Sequence, residues 1–202
     1  MATEEPAYEV IDTLGTIEIR RYDAYVVAET TVEGNFNAAR RQAFGRLFRF
    51  ISGNNTRRQE IAMTTPVSQS AGDRSEGEKI AMTVPVFSDP KRAERANAWT
   101  MEFVMPPGAT LEQLPVPRHP LVSLHTVPSR TVAAYRYSGS TGEKRFLEHA
   151  QRLEAALAHE RIATVGAPVQ AVYNGPFTIG PLRRNEAVVE VDLDAPGRTA
   201  GP

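Results

Sequence analysis

The amino-acid sequence predicts an α+β fold: an antiparallel sheet, open or closed on itself, with two long helices on its outside. Segments with the apolar–polar alternation of strands surround only two segments of helical period. The order strands, helix, strands occurs twice along the chain. A chain of 202 residues is long enough for one sizeable core and short for two domains. We therefore expect one domain over residues 7–194, with a disordered Gly-, Pro- and Ala-containing tail at 195–202.

The first three predicted strands lie at the N-terminus. Residues 8–14 and 17–22 alternate apolar and polar side chains, and Gly15 interrupts the pattern between them. A hairpin around Gly15 is one interpretation, and a bulge within one longer strand is the other. Residues 25–32 then form the third predicted strand.

The first predicted helix covers residues 36–51. Asn35 is a suitable N-cap, and Gly53-Asn54-Asn55 ends the helical pattern. The side chains that share the predicted buried face are Phe36, Ala43, Leu47, Phe50 and Ile51.

The opposite face of this helix carries Arg41, Gly45 and Arg49, spaced four residues apart, with Phe44 and Phe48 beside Arg41. A glycine inside a helix costs about 1 kcal/mol relative to alanine. Close approach by another backbone or by a flat ligand would offset that cost. The face is either aromatic surface bordered by guanidinium groups or a solvated basic surface.

A seven-residue segment occurs twice after this helix, at residues 61–67 and 80–86. Each copy is apolar, rich in β-branched residues and carries a proline near its end, which predicts two short strands stopped or bulged at Pro66 and Pro85. In the alternative interpretation, Met63 and Met82 present their thioethers to one flat apolar surface.

The remaining predicted elements are five strands and a second helix, with three of the strands before the helix and two after it. The strands cover residues 99–104, 122–127, 131–137, 168–173 and 187–193. The helix covers 143–160, with Ser140 or Thr141 as a possible cap. Its predicted buried stripe is Phe146, Ala150, Leu153 and Leu157.

Composition excludes several classes of protein. A net charge of −1 gives no general basis for binding nucleic acid or an anionic membrane. The absence of cysteine excludes disulfides and thiolate metal sites and suits a reducing compartment. The N-terminus lacks the apolar segment of a secretory signal, and no apolar run approaches the roughly 20 residues of a membrane span. We therefore expect a cytoplasmic protein with no nucleic-acid or membrane partner.

The sequence contains no nucleophile, phosphate-binding or dinucleotide motif. None of the four histidines has metal-site spacing to another, and His149, at the border of the second helix's apolar stripe, is the best candidate for an iron ligand. His125 lies in a strand, where a hydrogen-bonded structural role is expected. Glu18, Glu102 and Glu186 have no visible partner for acid–base chemistry. The residues alone indicate a binding domain for something flat and apolar with anionic ends.

The sequence resembles the SOUL haem-binding protein family over nearly its whole length, from about residue 8 to residue 193. The motifs are Tyr8-Glu9-Val10-Ile11, Ile17-Glu18-Ile19-Arg20-Arg21-Tyr22, Ala43-Phe44-x-x-Leu47-Phe48-x-Phe50-Ile51-x-Gly53-x-Asn55, Ile61-Ala62-Met63-Thr64-Thr65-Pro66-Val67, Phe103-Val104-Met105-Pro106, Leu114-Pro115-x-Pro117, Tyr137-Ser138-Gly139, Tyr173-Asn174-Gly175-Pro176 and Arg184-Asn185-Glu186. The resemblance implies a twisted antiparallel barrel-like sheet flanked by two helices and built from two similar halves. Bacterial effector-binding domains use the same fold.

The resemblance implies binding of haem or another tetrapyrrole in an exposed apolar groove beside the first helix, for haem buffering or transport. Carried over by position, Arg41 and Arg49 meet the propionates, as an Arg fork can. A third basic position of the family falls near Ile179, so Arg183 or Arg184 would have to substitute for it.

The iron-ligating histidine of one branch of the family is replaced here by Arg21, which excludes axial ligation of that type. Binding without a protein axial ligand, ligation by His149 or a Met, and preference for a metal-free porphyrin remain open. The expected cofactor-binding residues are Arg41, Phe44, Gly45, Phe48, Arg49, Met63 and Arg183, and the expected metal ligand is His149. The alternative functions are a tetrapyrrole-modifying enzyme, such as a metal dechelatase, and an effector-binding module for other planar amphipathic molecules.

Overall fold

The computed structural model describes residues 6–56, 77–80, 86–89, 98–173 and 178–194. The strands in these ranges are β1 (Tyr8–Leu14), β2 (Ile17–Tyr22), β3 (Tyr25–Glu33), β4 (Asn55–Thr56), β5 (Val86–Asp89), β6 (Ala98–Val104), β7 (Val116–Pro117), β8 (Ser123–Val127), β9 (Arg130–Tyr137), β10 (Ala163–Val172) and β11 (Asn185–Asp192). The two α-helices are α1 (Phe36–Ile51) and α2 (Glu143–His159), and a short 3-10 turn covers Gly180–Leu182.

Nine of these strands form one antiparallel sheet in the order β1-β2-β9-β11-β10-β5-β6-β3-β8, and β4 pairs separately with β7. Strands β1 and β8 are the two edges, so the sheet is not closed by hydrogen bonds in the part of the chain that is described. The α+β fold with two helices and antiparallel sheets is therefore confirmed. The barrel-like shape and the two similar halves stay predictions.

The buried side chains form three clusters that follow the alternation of the strands. One cluster packs α1 against β3 and β6, through residues such as Leu47, Ala28 and Phe103. A second packs α2 against β2, β9 and β11. The third contains Val27 and Val188, which belong to distant strands of the same sheet. The helices thus cover one face, and residues from both ends of the sheet pack together on the other.

The ends of α1 agree with the prediction. The Asn35 side chain accepts a hydrogen bond from the Ala38 backbone N–H at 3.0 Å, and Gly53, just past the helix, has φ +107°. At the N-terminus, Gly15 has φ +61° and connects β1 to β2, so the hairpin is confirmed. The register between these strands also shifts between Val10 and Asp12.

The cap predicted for α2 is wrong. The N-cap is Gly142, which has no side chain to offer, and the Ser140 hydroxyl instead accepts a hydrogen bond from the Gly142 N–H at 3.1 Å. The predicted buried stripe of α2 is confirmed, and His149 joins it.

Several predictions lie outside the described residues. These are the first copy of the repeat at 61–67, most of the second copy at 81–85, and the tail at 195–202. The domain bounds stay a prediction. In the described ranges, neither helix has the length and apolar character needed to cross a membrane.

Candidate functional site

Helix α1 is the most basic element of the described structure. It contains four arginines and no acidic residue, in a chain whose net charge is −1. Its buried face consists of Phe36, Ala39, Ala43, Leu47, Phe50 and Ile51. Because these apolar residues recur at helical spacing, they place the remaining positions on the side away from the sheet.

Two of the four arginines are bound to the body of the protein. Arg40 donates to the Thr141 carbonyl at 2.6 Å, and Arg46 donates to the Thr31 carbonyl at 3.1 Å. Burial lowers the pKa of Arg40; the Tyr137 hydroxyl raises it, and the nearby Arg183 charge lowers it further. These two guanidinium groups hold α1 in place.

The other two arginines, Arg41 and Arg49, are exposed. Among the described residues, no hydrogen bond or ion pair engages either guanidinium. Since an Arg fork binds a carboxylate through two parallel hydrogen bonds, these side chains are suited to an anionic ligand. The structure thus separates the arginines of α1 into two that anchor the helix and two that face solvent.

Two aromatic rings lie on the same side of α1 as the exposed arginines. Phe44 and Phe48 stack with centroids 5.8 Å apart and planes 12° apart. Phe44 also meets the buried Phe103 edge-on at 5.5 Å, which fixes its position. Phe48 remains 42% exposed, so the pair presents an aromatic surface to solvent.

Gly45 has open space above it. A Cβ built at Gly45 meets no heavy atom within 4 Å among the described residues. Of the two explanations for a mid-helix glycine, close approach by another segment therefore has no support in the described ranges. Close approach by a flat ligand stays a prediction.

We call Arg41, Phe44, Gly45, Phe48 and Arg49 the α1 ledge. At about 100° per residue, these positions occupy an arc of about 140° on one side of the helix. The structure thus brings together five of the seven predicted cofactor-binding residues. Met63, the sixth, lies outside the described residues.

Arg183, the seventh, interacts electrostatically with α1. Its charge lowers the pKa of Arg40, and its Nε donates to the Thr178 carbonyl at 2.6 Å. Arg184 instead lies 3.9 Å over the Tyr173 ring and donates to Glu186 at 3.0 Å. Of the two candidates for the third basic position, Arg183 is the one whose charge acts on α1, and its part in a binding site stays a prediction.

His149 lies on α2, within the core. It is 4% exposed, and its ring stacks on Tyr137 with centroids 4.1 Å apart and planes 15° apart. Both ring nitrogens are enclosed and have no hydrogen-bond partner. Burial lowers the pKa of His149, and the Arg145 and Arg152 charges lower it further. Iron ligation by His149 stays a prediction, and it would require one of the enclosed ring nitrogens to become accessible.

The α1 ledge is a surface and not an enclosed cavity. A groove of about 480 Å³ lies at the N-terminus of α2, and it touches α1 only at Asn37. Its lining includes Glu143, Lys144, Arg145 and Glu148 and no aromatic residue. A charged groove of this kind offers little to a flat apolar molecule, whereas the α1 ledge offers stacked rings.

Sequence reasoning missed a buried ion-pair network around Glu186, which is wholly buried. Arg20 donates to it from two nitrogens, at 2.7 and 3.1 Å, and the Tyr173 hydroxyl donates at 2.6 Å. Burial raises the pKa of a carboxyl, but the hydrogen bond and charge of Arg20 outweigh it and hold the pKa of Glu186 below its usual value. Burial likewise raises the pKa of Tyr22, beside Arg20, to about 12. The local sequence around Glu186 gave no indication of these partners.

The sequence of this chain matches a known protein family. The family model of the SOUL heme-binding protein matches residues 3–74 and 69–190. The chain belongs to the SOUL heme-binding protein family. No curated protein matches the sequence.

Two solved structures share the fold of this SOUL family member. The EcmrR C-terminal domain superimposes with a TM-score of 0.57 at 10% identity, over 92% of this chain and 98% of that one. A protein described as a hydrolase encoded by lin2189 from Listeria innocua has a TM-score of 0.51 at 12% identity, over 88% and 92% of the two chains. At such low identity, both comparisons support the fold alone.

The SOUL family implies haem as a ligand, and the residues of the α1 ledge suit it. A tetrapyrrole has a wide apolar face and, in haem, two carboxylates at one edge. The ledge pairs stacked aromatic rings with two arginines that no described residue engages, beside a glycine with open space above it.

Proposed function

We propose that this protein binds a tetrapyrrole, haem or a metal-free porphyrin, on the α1 ledge and buffers or carries it. The observation that carries the proposal is the division of the α1 arginines. Arg40 and Arg46 are bound to backbone carbonyls. Arg41 and Arg49 instead face solvent on the same side of α1 as the Phe44–Phe48 pair. Membership of the SOUL family supports the same ligand class.

The energetics suit a ligand held without an axial protein ligand. Burial of apolar surface contributes roughly 25 cal/mol per Å², so contact with a macrocycle face yields useful affinity before any bond to iron. The propionates add charge-assisted hydrogen bonds to Arg41 and Arg49. Arg183, whose charge acts on Arg40, would supply a third positive charge near the helix.

A haemin titration tests the proposal. We expect a saturable shift of the Soret band, and binding about tenfold weaker in the Arg41→Ala/Arg49→Ala double variant, or about 1.4 kcal/mol. The matched control is Arg145→Ala/Arg152→Ala on α2, which also removes two positive charges. Equal affinity in both double variants and wild type would refute the ledge as the site, and selective loss in the α2 variant would move the site to α2.

The two alternative functions give different results in the same preparation. A metal-removing enzyme would release fluorescent free porphyrin during incubation with haem, whereas a carrier would not. An effector-binding module would bind other planar amphipathic molecules more tightly than haemin or a metal-free porphyrin. Parallel titrations of these ligands separate the three functions.

A further inference from the structure

Three potential metal ligands converge on the strands β6, β3 and β8. Glu29, Glu102 and His125 each offer one ligand atom, and these atoms all lie within 4.8 Å of one another. Glu102 is only 6% exposed, and the other two side chains are partly buried. Three neighbouring strands of one sheet therefore hold the group on a rigid support.

Strand alternation places these residues on the face of the sheet away from α1. Val27 belongs to the third core cluster, and Glu29 follows two positions later on the same strand. Val104 and Val127 belong to the same cluster and lie two positions after Glu102 and His125. Since residues two apart share a face, the three ligands lie on the opposite side of the sheet from the α1 ledge.

Glu29 and Glu102 face one another across the sheet, where one bound cation could contact both carboxylates. The two residues are direct cross-strand partners in β3 and β6. Like charges directly opposite one another destabilise an antiparallel pair. The charges of Arg130 and Glu102 also interact. The Arg130 guanidinium in addition donates to the Tyr25 hydroxyl at 2.6 Å and lies 3.7 Å from Glu190.

The imidazole of His125 gives a second reason to expect a metal ion at this position. Its Nε2 is buried and has no hydrogen-bond partner, and it lies 3.9 Å from Glu29 Oε2. A buried polar nitrogen without a partner is unfavourable, and a metal ion bound to its lone pair would satisfy it. The prediction of a hydrogen-bonded structural role for His125 is therefore not met at Nε2.

We propose that Glu29, Glu102 and His125 bind one divalent transition-metal ion of the zinc type. Bonds of about 2.1 Å in a tetrahedral site place ligand atoms about 3.4 Å apart. Rotation of the flexible glutamate side chains closes the difference from the observed spacing. Imidazole together with carboxylates suits Zn²⁺, Mn²⁺ or Fe²⁺ better than Mg²⁺ or Ca²⁺, which prefer oxygen ligands alone. Three protein ligands leave a fourth position for water or another ligand.

The test is a Zn²⁺ titration of the full chain after treatment with a chelator, in competition with a chromophoric zinc indicator. We expect one Zn²⁺ per chain and binding weakened at least about tenfold in both Glu29→Gln and His125→Gln, because even ligand-supporting residues have effects of that size. The control is His159→Gln, which removes an exposed histidine beside Glu160 and should keep wild-type affinity.

A second measurement guards against variants that fail to fold. Without metal, circular dichroism should show that Glu29→Gln is folded and unfolds in one cooperative transition. Zn²⁺ should raise the melting temperature of wild type and leave that of Glu29→Gln unchanged. Absence of zinc binding, equal affinity in wild type and both site variants, or loss of binding in His159→Gln alone overturns the proposal. Haemin binding by Glu29→Gln should be unchanged, so the two sites are tested separately.

Discussion

Phe48 stacks on Phe44 at 5.8 Å while 42% of Phe48 stays exposed, so α1 presents an aromatic pair outward. A single large apolar side chain is common on a protein surface, but here two stacked rings lie on the same side of α1 as two exposed arginines.

Replacement of the exposed ring should affect ligand binding more than stability. We expect Phe48→Ser to weaken haemin binding about tenfold, because the macrocycle loses an aromatic contact. The loss of stacking on Phe44 should lower the free energy of unfolding by only about 0.5–1.5 kcal/mol. Leu147→Ser is the control, since Leu147 is 47% exposed on α2. Equal loss of haemin affinity in both variants would contradict the assignment.

Substitutions at Gly45 separate helix stability from ligand contact. Because no described atom lies within 4 Å of a Cβ at this position, Gly45→Ala should raise the free energy of unfolding by about 1 kcal/mol. Gly45→Leu should keep the helix but obstruct a flat ligand and weaken haemin binding. Urea unfolding and haemin titration measure the two effects. If Gly45→Leu binds haemin as well as wild type, no ligand approaches the backbone there.

The buried pair of Arg20 and Glu186 should contribute strongly to stability. Glu186→Gln leaves Arg20 without its main partner and should cost about 3–5 kcal/mol in urea unfolding. The control is Glu9→Gln, which removes an exposed ion pair with Arg21 and should change stability by less than about 1 kcal/mol.

The same carboxylate predicts a direction for acid unfolding. The pKa of Glu186 is lower in the folded protein than in the unfolded chain, so the unfolded chain takes up protons first as the pH falls. Its contribution is complete above the ordinary glutamate pKa of about 4.3 and is lost as the pH falls through the folded value. Wild type should therefore lose more stability than Glu186→Gln in that window, and parallel loss in both proteins would exclude this role.

His149→Phe should make stability less dependent on pH. Burial holds the pKa of His149 below its usual value, so the unfolded chain binds protons more readily as the pH falls below about 6.5. Tyr135 and Tyr137 contact the ring, Arg145 and Arg152 oppose its protonation, and Glu148 favours it. Wild type should lose stability from pH 7.5 towards pH 5 relative to His149→Phe, as thermal melts at each pH would measure.

The same variant tests iron ligation. If binding needs no ligand from α2, the haemin complex of His149→Phe should have the same Soret maximum and affinity as wild type. A shifted Soret band in a variant that melts normally would instead identify His149 as the axial ligand. His159→Phe, at an exposed position of the same helix, controls for loss of a histidine.

Most elements of the fold were predictable from local pattern. The buried and exposed positions of α1 follow helical spacing. Asn35 caps the start of the helix through its side chain, and Gly53 adopts a positive φ just past its end. The cap of α2 was not predictable in the same way, because Ser140 and Thr141 both suit a cap, and the position chosen was Gly142. The division of the α1 arginines depends on which carbonyls lie nearby, as Thr141 and Thr31 do for Arg40 and Arg46.

By itself the sequence determined the two helices, most of the strands and the aromatic and basic face of α1, because these depend on residues a few positions apart. Only the tertiary structure decided that Arg20 binds Glu186 and that Glu29, Glu102 and His125 meet. These groups come from strands far apart in the chain, and strand pairing, which local periodicity does not specify, brings them together.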